Sequence, residues 1–190
     1  MNQQELYHKV SLRCSKLVTR AYSTSFSLGI QCLEKNLQDP IYSIYGFVRF
    51  ADEIVDTFHD HDKADLLARF KVETYRSIEE KISLNPILHS FQRTVNQYQI
   101  DHELIEQFLK SMEMDLVKVD YDAKGIEEYI LGSAEVVGLM CLKVFVSHKP
   151  ELYAELEAPA RSLGSAFQKV NFLRDIKSDF EERGRVYFPG

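Results

Sequence analysis

An all-α fold follows from three features of the sequence: strand-like alternation is scarce, helix-starting signals recur, and the links between them are short. Asp39-Pro40 and Asn85-Pro86 read as an N-cap followed by proline at the first helical position, where the missing N–H costs nothing. Asp62 and Asp101 read as further caps. Helices are therefore expected over roughly 3–22, 40–58, 63–83, 86–98, 102–118, 125–147 and 151–182, with Pro159 kinking or dividing the last. The longest irregular stretch is expected at about 23–36. Short links without a Gly/Ser-rich linker, repeat or low-complexity tract imply antiparallel neighbours in a single helical domain over 1–190.

Composition narrows the function classes. A chain of 190 residues, 45% hydrophobic and 27% charged, is long and apolar enough to bury one core. A net charge of −6 without a basic block disfavours nucleic acid as a partner. Cys14, Cys32 and Cys141 form no CxxC pair and leave one thiol over in any disulfide scheme, which points to a reducing, cytoplasmic setting and inert thiols. The polar N-terminus MNQQELYHKV has no apolar signal region, and no apolar run reaches the length of a membrane span.

Chemistry first shows in the predicted helix 40–58. Tyr45, Arg49, Asp52 and Asp56 are spaced four, three and four residues apart, so they share one face, flanked by the apolar Ile44, Phe47, Val48, Phe50, Ile54 and Val55. Two aspartates one turn apart repel unless something positive sits between them. Two readings are open for this stripe. It is either a solvated face carrying an Arg49–Glu53 pair, or a carboxylate edge for Mg²⁺, which takes one or two carboxylates and completes its shell with water and phosphate oxygens.

The last predicted helix repeats the device. Gln168, Asn171, Asp175 and Asp179 again share one face, with Arg174 beside them. A solvated helix can carry such a stripe freely, whereas a buried one needs partners for four polar groups. Two DxxxD helices, each with an arginine, point to a shared polyanion site.

The segments Arg49-Phe-Ala-Asp-Glu-Ile-Val-Asp56 and Gln168-Lys-Val-Asn-Phe-Leu-Arg-Asp-Ile-Lys-Ser-Asp179 resemble the two aspartate-rich motifs of the phytoene/squalene synthase family. Arg183-Gly-Arg-Val-Tyr-Phe-Pro189 is similar to the signature that trails the second motif. Tyr129 with Gly132-Ser-Ala134 and Val137-Gly138 looks like the tyrosine and small-residue helix between the motifs, and Ser23-Thr-Ser-Phe26 looks like an N-terminal element. The order matches along nearly the whole chain. Thr24 and Tyr22 stand where the family often has lysine and histidine, and Glu135-Val136 where it usually has Gly-Thr. The family's chain also continues through further helices beyond Pro189, so the sequence is expected to be a partial domain.

The resemblance implies a helical isoprenoid-synthase fold around a central substrate cavity, in which two prenyl diphosphates join head to head through a cyclopropyl diphosphate. It implies that Asp52, Asp56, Asn171, Asp175 and Asp179 hold Mg²⁺, with Mn²⁺ as an alternative ion. Arg49 and Arg174, with Arg185 and Tyr187 as weaker candidates, would bind phosphate oxygens, and Ser25 and Gln168 would contact the substrate. Phe26, Tyr45 and Tyr129 would face an allylic cation, Tyr129 also moving a proton. Gly132, Ser133, Ala134 and Gly138 either let two helices approach closely or leave room for a prenyl tail; the match beside Tyr129 favours the tail. The Asp-Glu-Ile-Val-Asp form of the first motif favours phytoene synthase and geranylgeranyl diphosphate. The alternatives are squalene or dehydrosqualene synthase on farnesyl diphosphate and a non-catalytic assembly protein. A hydrocarbon product would bring transient, peripheral membrane contact, although no amphipathic anchor stands out in the sequence.

Three further patterns carry blander readings. Glu5-Leu-Tyr-His8 lacks the second copy a di-iron bundle needs, and His59-Asp-His-Asp62 reads as a polar loop. Asp115 stands where the resemblance places a residue acting behind the site.

Overall fold

The structure, a computed structural model, describes the backbone of residues 2–117 and 123–183 and the side chains of 2–117 and 124–176. Its elements are α1 (Gln3–Tyr22), α2 (Thr24–Gln31), α3 (Lys35–Asp56), α4 (Lys63–Glu80), α5 (Pro86–Tyr98), α6 (His102–Val117), α7 (Ala123–Ile130), a π-helical turn (Leu131–Glu135), α8 (Val136–Phe145) and α9 (Leu152–Arg183). Among the described residues there is no strand.

Several elements form for the reasons their residues suggest. Asn2 and Glu5 close a reciprocal capping box on α1, with Glu5 N donating to Asn2 Oδ1 at 2.7 Å. Asp62 Oδ1 caps α4 through Asp65 N, and Asn85 Oδ1 caps α5 ahead of Pro86. Helix α4 stops at Glu80, short of the expected 83, because Lys81 takes a left-handed conformation (φ 58°) that ends the helical ladder.

Three expectations are corrected. The stretch 23–36 is not irregular: Ser23 ends α1 and also caps α2, its Oγ accepting from Phe26 N at 3.2 Å. Helix α3 begins at Lys35, not at the Asp39-Pro40 pair. Pro40 lies in its second turn, and burying Pro40 and Ile41, with Leu37 against the core, offsets the helical bond the proline cannot make. Asp39 instead reaches Lys16 of α1 at 2.6 Å. The expected helix 125–147 is interrupted by the π-helical turn. Pro159, by contrast, lies inside α9 without dividing it.

Helix α3 is the hub, packed by α1, α2, α4, α5, α6 and α8. Phe47 is fully buried and stacks on Phe91 at 3.9 Å between ring centroids, with Phe70 and Phe108 at 5.6 and 5.4 Å. Each such ring contributes about 2–3 kcal/mol by leaving water. A smaller cluster of Met114, Tyr129, Ile130 and Phe172 joins α6, α7 and α9. Cys141 is half-buried against the core, and burial pushes its thiol up to about 12, so it stays protonated and inert.

Small residues set the closest approaches. A Cβ on Gly46 would stand 2.9 Å from Ser15 Cβ, and one on Gly132 would meet Ser111 Cβ at 2.6 Å and the Gln107 carbonyl oxygen at 2.7 Å. Gly132 therefore serves helix packing against α6, not room for a substrate tail.

Helix α1 is also tied to α5 by a histidine pair. Ser83 N donates to His89 Nδ1 at 3.3 Å, which leaves the hydrogen on Nε2, facing His8 Nδ1 at 2.7 Å. His89 is buried, and burial first, then His8 and Arg93, bring its pKa down to about 4 from 6.5. Between those values the unfolded chain binds a proton that the folded chain refuses. The contribution is thus present above pH 6.5 and lost as pH falls toward about 4. Denaturant titrations over that range should show a loss of about 1–3 kcal/mol. A His89→Gln variant should flatten that slope; an unchanged slope would place the acid sensitivity elsewhere.

Candidate active site

The polar stripe of α3 occupies the part of the helix that the core leaves over. Ile44, Phe47, Ala51, Ile54 and Val55 are buried, while Tyr45, Arg49, Asp52 and Asp56 are each half-buried. Arg49 Nη2 donates to Glu53 Oε2 at 2.6 Å, and its guanidinium carbon lies 4.4 Å from the centroid of the Tyr22 ring. The Arg49–Glu53 pair, one of the two readings left open by the spacing, is therefore present. It is not solvated, since the two side chains are only 24% and 15% exposed.

That enclosure shapes the charges. Burial works against the Arg49 cation, but the hydrogen bond to Glu53 and the charges of Asp52 and Glu53 outweigh it and raise its pKa. Burial likewise opposes ionisation of Glu53, yet hydrogen bonds from Thr57 and Arg49 hold its carboxyl below the ordinary value. Arg49 Nε is buried with no acceptor among the described residues. A buried donor without an acceptor is costly, and an anionic oxygen is the group that would relieve it. Phe26 of α2 stacks on Tyr45 at 4.6 Å, while Ser25 beside it is exposed. Burial chiefly raises the Tyr45 pKa, so its hydroxyl stays protonated.

The α9 stripe is more open. Asn171 Nδ2 donates to Gln168 Oε1 at 3.3 Å, and both residues are half-buried. The exposed Arg174 forks onto Asp175, Nε to Oδ1 at 2.8 Å and Nη2 to Oδ2 at 2.6 Å. The side chain of Asp179 and the whole of Arg185 and Tyr187 lie outside the described residues.

Tyr129 joins the two halves of the chain. It is 6% exposed, its hydroxyl donates to Asp115 Oδ2 at 2.8 Å, and its ring stacks on Phe172 of α9 at 6.1 Å. The π-helical turn that follows presents Ala134 and Glu135 to α9, where a Cβ on Gly164 would meet the Ala134 carbonyl oxygen at 3.1 Å. Gly138 has more room, its nearest neighbour being the Ala160 carbonyl oxygen at 3.6 Å.

The structure thus groups Tyr22, Phe26, Tyr45, Arg49 and Glu53 at one place, and Asp115, Tyr129 and Phe172 at another. Sequence reasoning met Tyr22 only as a departure from the family's histidine and passed over Phe172. Phe172 carries a usable signal, since it follows Asn171 directly inside the second motif. Among the described residues, no three His, Cys, Asp or Glu side chains converge on a metal position.

The profile of the squalene/phytoene synthase family matches residues 19–190. The chain belongs to that family. It is 26% identical over 185 residues to a phytoene synthase of Cereibacter sphaeroides, covering 93% of this chain and 50% of that protein. It is 31% identical over 187 residues to the chloroplastic phytoene synthase of Narcissus pseudonarcissus, covering 93% of this chain and 42% of that one. The chain therefore spans about half the length of these curated relatives. A dehydrosqualene synthase solved with a ligand superposes with a TM-score of 0.82 at 25% identity, over 95% of this chain and 61% of its own. Squalene synthase HpnC from Alicyclobacillus acidocaldarius gives 0.82 at 22% identity, over 95% and 66%, a likeness of fold. The expected all-helical, isoprenoid-synthase type of architecture is the one this chain has.

Removing the Tyr129 hydroxyl deprives the buried Asp115 of a donor. Tyr129→Phe should lower stability by about 1–3 kcal/mol in a denaturant titration, more than Tyr98→Phe on α5. Equal losses for the two variants would show that the Asp115 bond contributes nothing.

Proposed function

We propose that the protein is a phytoene synthase-type prenyltransferase, joining two geranylgeranyl diphosphates head to head through a cyclopropyl diphosphate. The observation that carries this reading is the family match over residues 19–190, a span that holds both aspartate pairs. Arg49 gives chemical support. A buried guanidinium nitrogen without an acceptor, beside two half-buried carboxylates, suits a site that receives a metal-bound polyanion.

The donor set is compatible with Mg²⁺, because Asp52, Asp56, Asn171, Asp175 and Asp179 offer only hard oxygen ligands. Bound there, Mg²⁺ would neutralise negative charge on the departing diphosphate as a Lewis acid. Arg49, braced by Glu53 and Tyr22, would direct its remaining donors to the phosphate oxygens at one end. Arg174 would exchange Asp175 for phosphate at the other. As the carbon–oxygen bond breaks, its electron pair leaves with the diphosphate and an allylic cation remains. Tyr45, Phe26 and Tyr129 would stabilise that cation through their ring faces and keep water from it. The new carbon–carbon bond forms with loss of a proton, which Tyr129, held by Asp115, could pass on.

A second substrate reading has its own support. The chain is 24% identical to the 4,4'-diapophytoene synthase of Staphylococcus haemolyticus, and the superposed dehydrosqualene synthase belongs with it. Incubating the protein with labelled geranylgeranyl or farnesyl diphosphate, with and without NADPH, should give phytoene from the first alone and without reductant. Squalene formed only with NADPH would move the assignment to squalene synthase, and no product from either diphosphate would favour an assembly role. Asp52→Ala and Asp175→Ala should each lower product formation about a hundredfold or more, as should chelation of the divalent ion.

A further inference from the structure

Within two turns α3 carries the cation Arg49 and the carboxylates Asp52, Glu53 and Asp56. The three carboxylates are not equivalent. Asp52 and Asp56 belong to the half-buried stripe of candidate ion ligands, whereas Glu53 is taken up by Arg49, its Oε2 accepting from Nη2 at 2.6 Å. Water reaches little of either partner, so the two charges act on each other, and on any third charge, with less screening than an exposed pair. Tyr22, the last residue of α1, places its ring 4.4 Å from the same guanidinium carbon. A carboxylate of one helix and a ring of another thus hold Arg49, and its Nε is left buried without an acceptor among the described residues.

We propose that Glu53 is a positioning residue that sets how tightly Arg49 holds a diphosphate: its acceptor oxygen fixes the guanidinium, and its charge weakens the pull of the guanidinium on the anion. The two effects have opposite signs. A guanidinium already held in place loses less freedom when an anion binds, which favours binding. A negative charge beside it repels the phosphate oxygens, which opposes binding. A site that splits off a diphosphate has to release it as well as receive it, and release limits turnover in many enzymes. A half-buried arginine without a counter-charge would hold that product too strongly; with Glu53 fixed on it, the grip is partial. This inference rests on the reading that Arg49 receives a diphosphate, and adds to it the residue that limits the affinity.

Calorimetric titration of the full chain with inorganic pyrophosphate in the presence of Mg²⁺ separates the two effects. Glu53→Gln keeps the size and an acceptor oxygen but removes the charge, and should bind pyrophosphate about three- to tenfold more tightly than the parent. Glu53→Leu removes charge and acceptor together, and should bind about tenfold more weakly than Glu53→Gln. Tyr22→Leu keeps the charge but takes the ring from Arg49, and should bind about threefold or more weakly than the parent. Glu80→Gln, which removes a carboxylate from the exposed Arg76–Glu80 pair of the same i,i+4 spacing on α4, should bind as the parent does. Circular dichroism establishes folding, and if Glu53→Leu is unfolded, Tyr22→Leu decides the orienting effect. No binding by the parent, no tightening in Glu53→Gln, a folded Glu53→Leu that matches Glu53→Gln, undiminished binding in a folded Tyr22→Leu, or an equal gain in Glu80→Gln would each overturn the inference. The expected pattern without any prenyl product would leave this inference standing and remove the reaction. Product formed by a protein whose pyrophosphate affinity ignores Glu53 would do the reverse.

Discussion

Helix α3 has to satisfy two demands that oppose each other. It is packed by six other helices and carries Phe47 at the centre of the aromatic stack, yet it also carries Arg49, Asp52, Glu53 and Asp56 within two turns. Charged groups that close to a core are tolerable only when each finds an opposite charge or a polar partner. Arg49 meets that condition through Glu53 and the face of Tyr22. The placement of α2 follows from it as well, because Phe26 covers Tyr45 on the same stripe. The Phe47 stack fixes the rotation of α3, and that rotation decides which side chains are left at the edge of the core.

Much of this is legible in the sequence. Caps with a side-chain mechanism, at Asp62 and Asn85, marked real helix starts, and the stripe of Tyr45, Arg49, Asp52 and Asp56 lies on one half-buried face of α3 as its spacing required. What failed, failed for identifiable reasons. Helix α2 is rich in serine and threonine and contains Gly29, so its intrinsic propensity is low; its docking on α1 and α3 supplies what propensity does not. The Asp39-Pro40 pair has the composition of a cap, but tertiary burial of Ile41 extended the helix past it. Spacing alone left the state of Arg49 open between a surface pair and a ligand-facing group, because periodicity cannot tell solvent from a half-buried edge. The contacts of Tyr129 with Asp115 and Phe172 join segments remote in sequence, so nothing local announced them.

The small residues around Tyr129 show how one composition serves different ends. Gly132 is filled on its α6 side by Ser111 and Gln107, and Gly164 accepts the backbone of Ala134 and Glu135 from the facing helix. Both act as spacers that bring three helices to one point. Gly138 has ordinary clearance. Glycine counting along this stretch would treat them alike, while the packing separates them.

The π-helical turn at 131–135 acts on the chain as a phase shift. One extra residue in the turn advances everything before it by about 100° relative to everything after it, as seen down a common axis. Tyr129 and Gly138 are therefore not on the faces that a single uninterrupted wheel would assign them. Deleting one residue from Leu131–Glu135 would restore a continuous α-helix at little local cost. It would also turn the Tyr129 ring away from both Asp115 and Phe172. The extra residue works as an angular setting: length in this segment specifies direction, and even a conservative deletion there is a rotation.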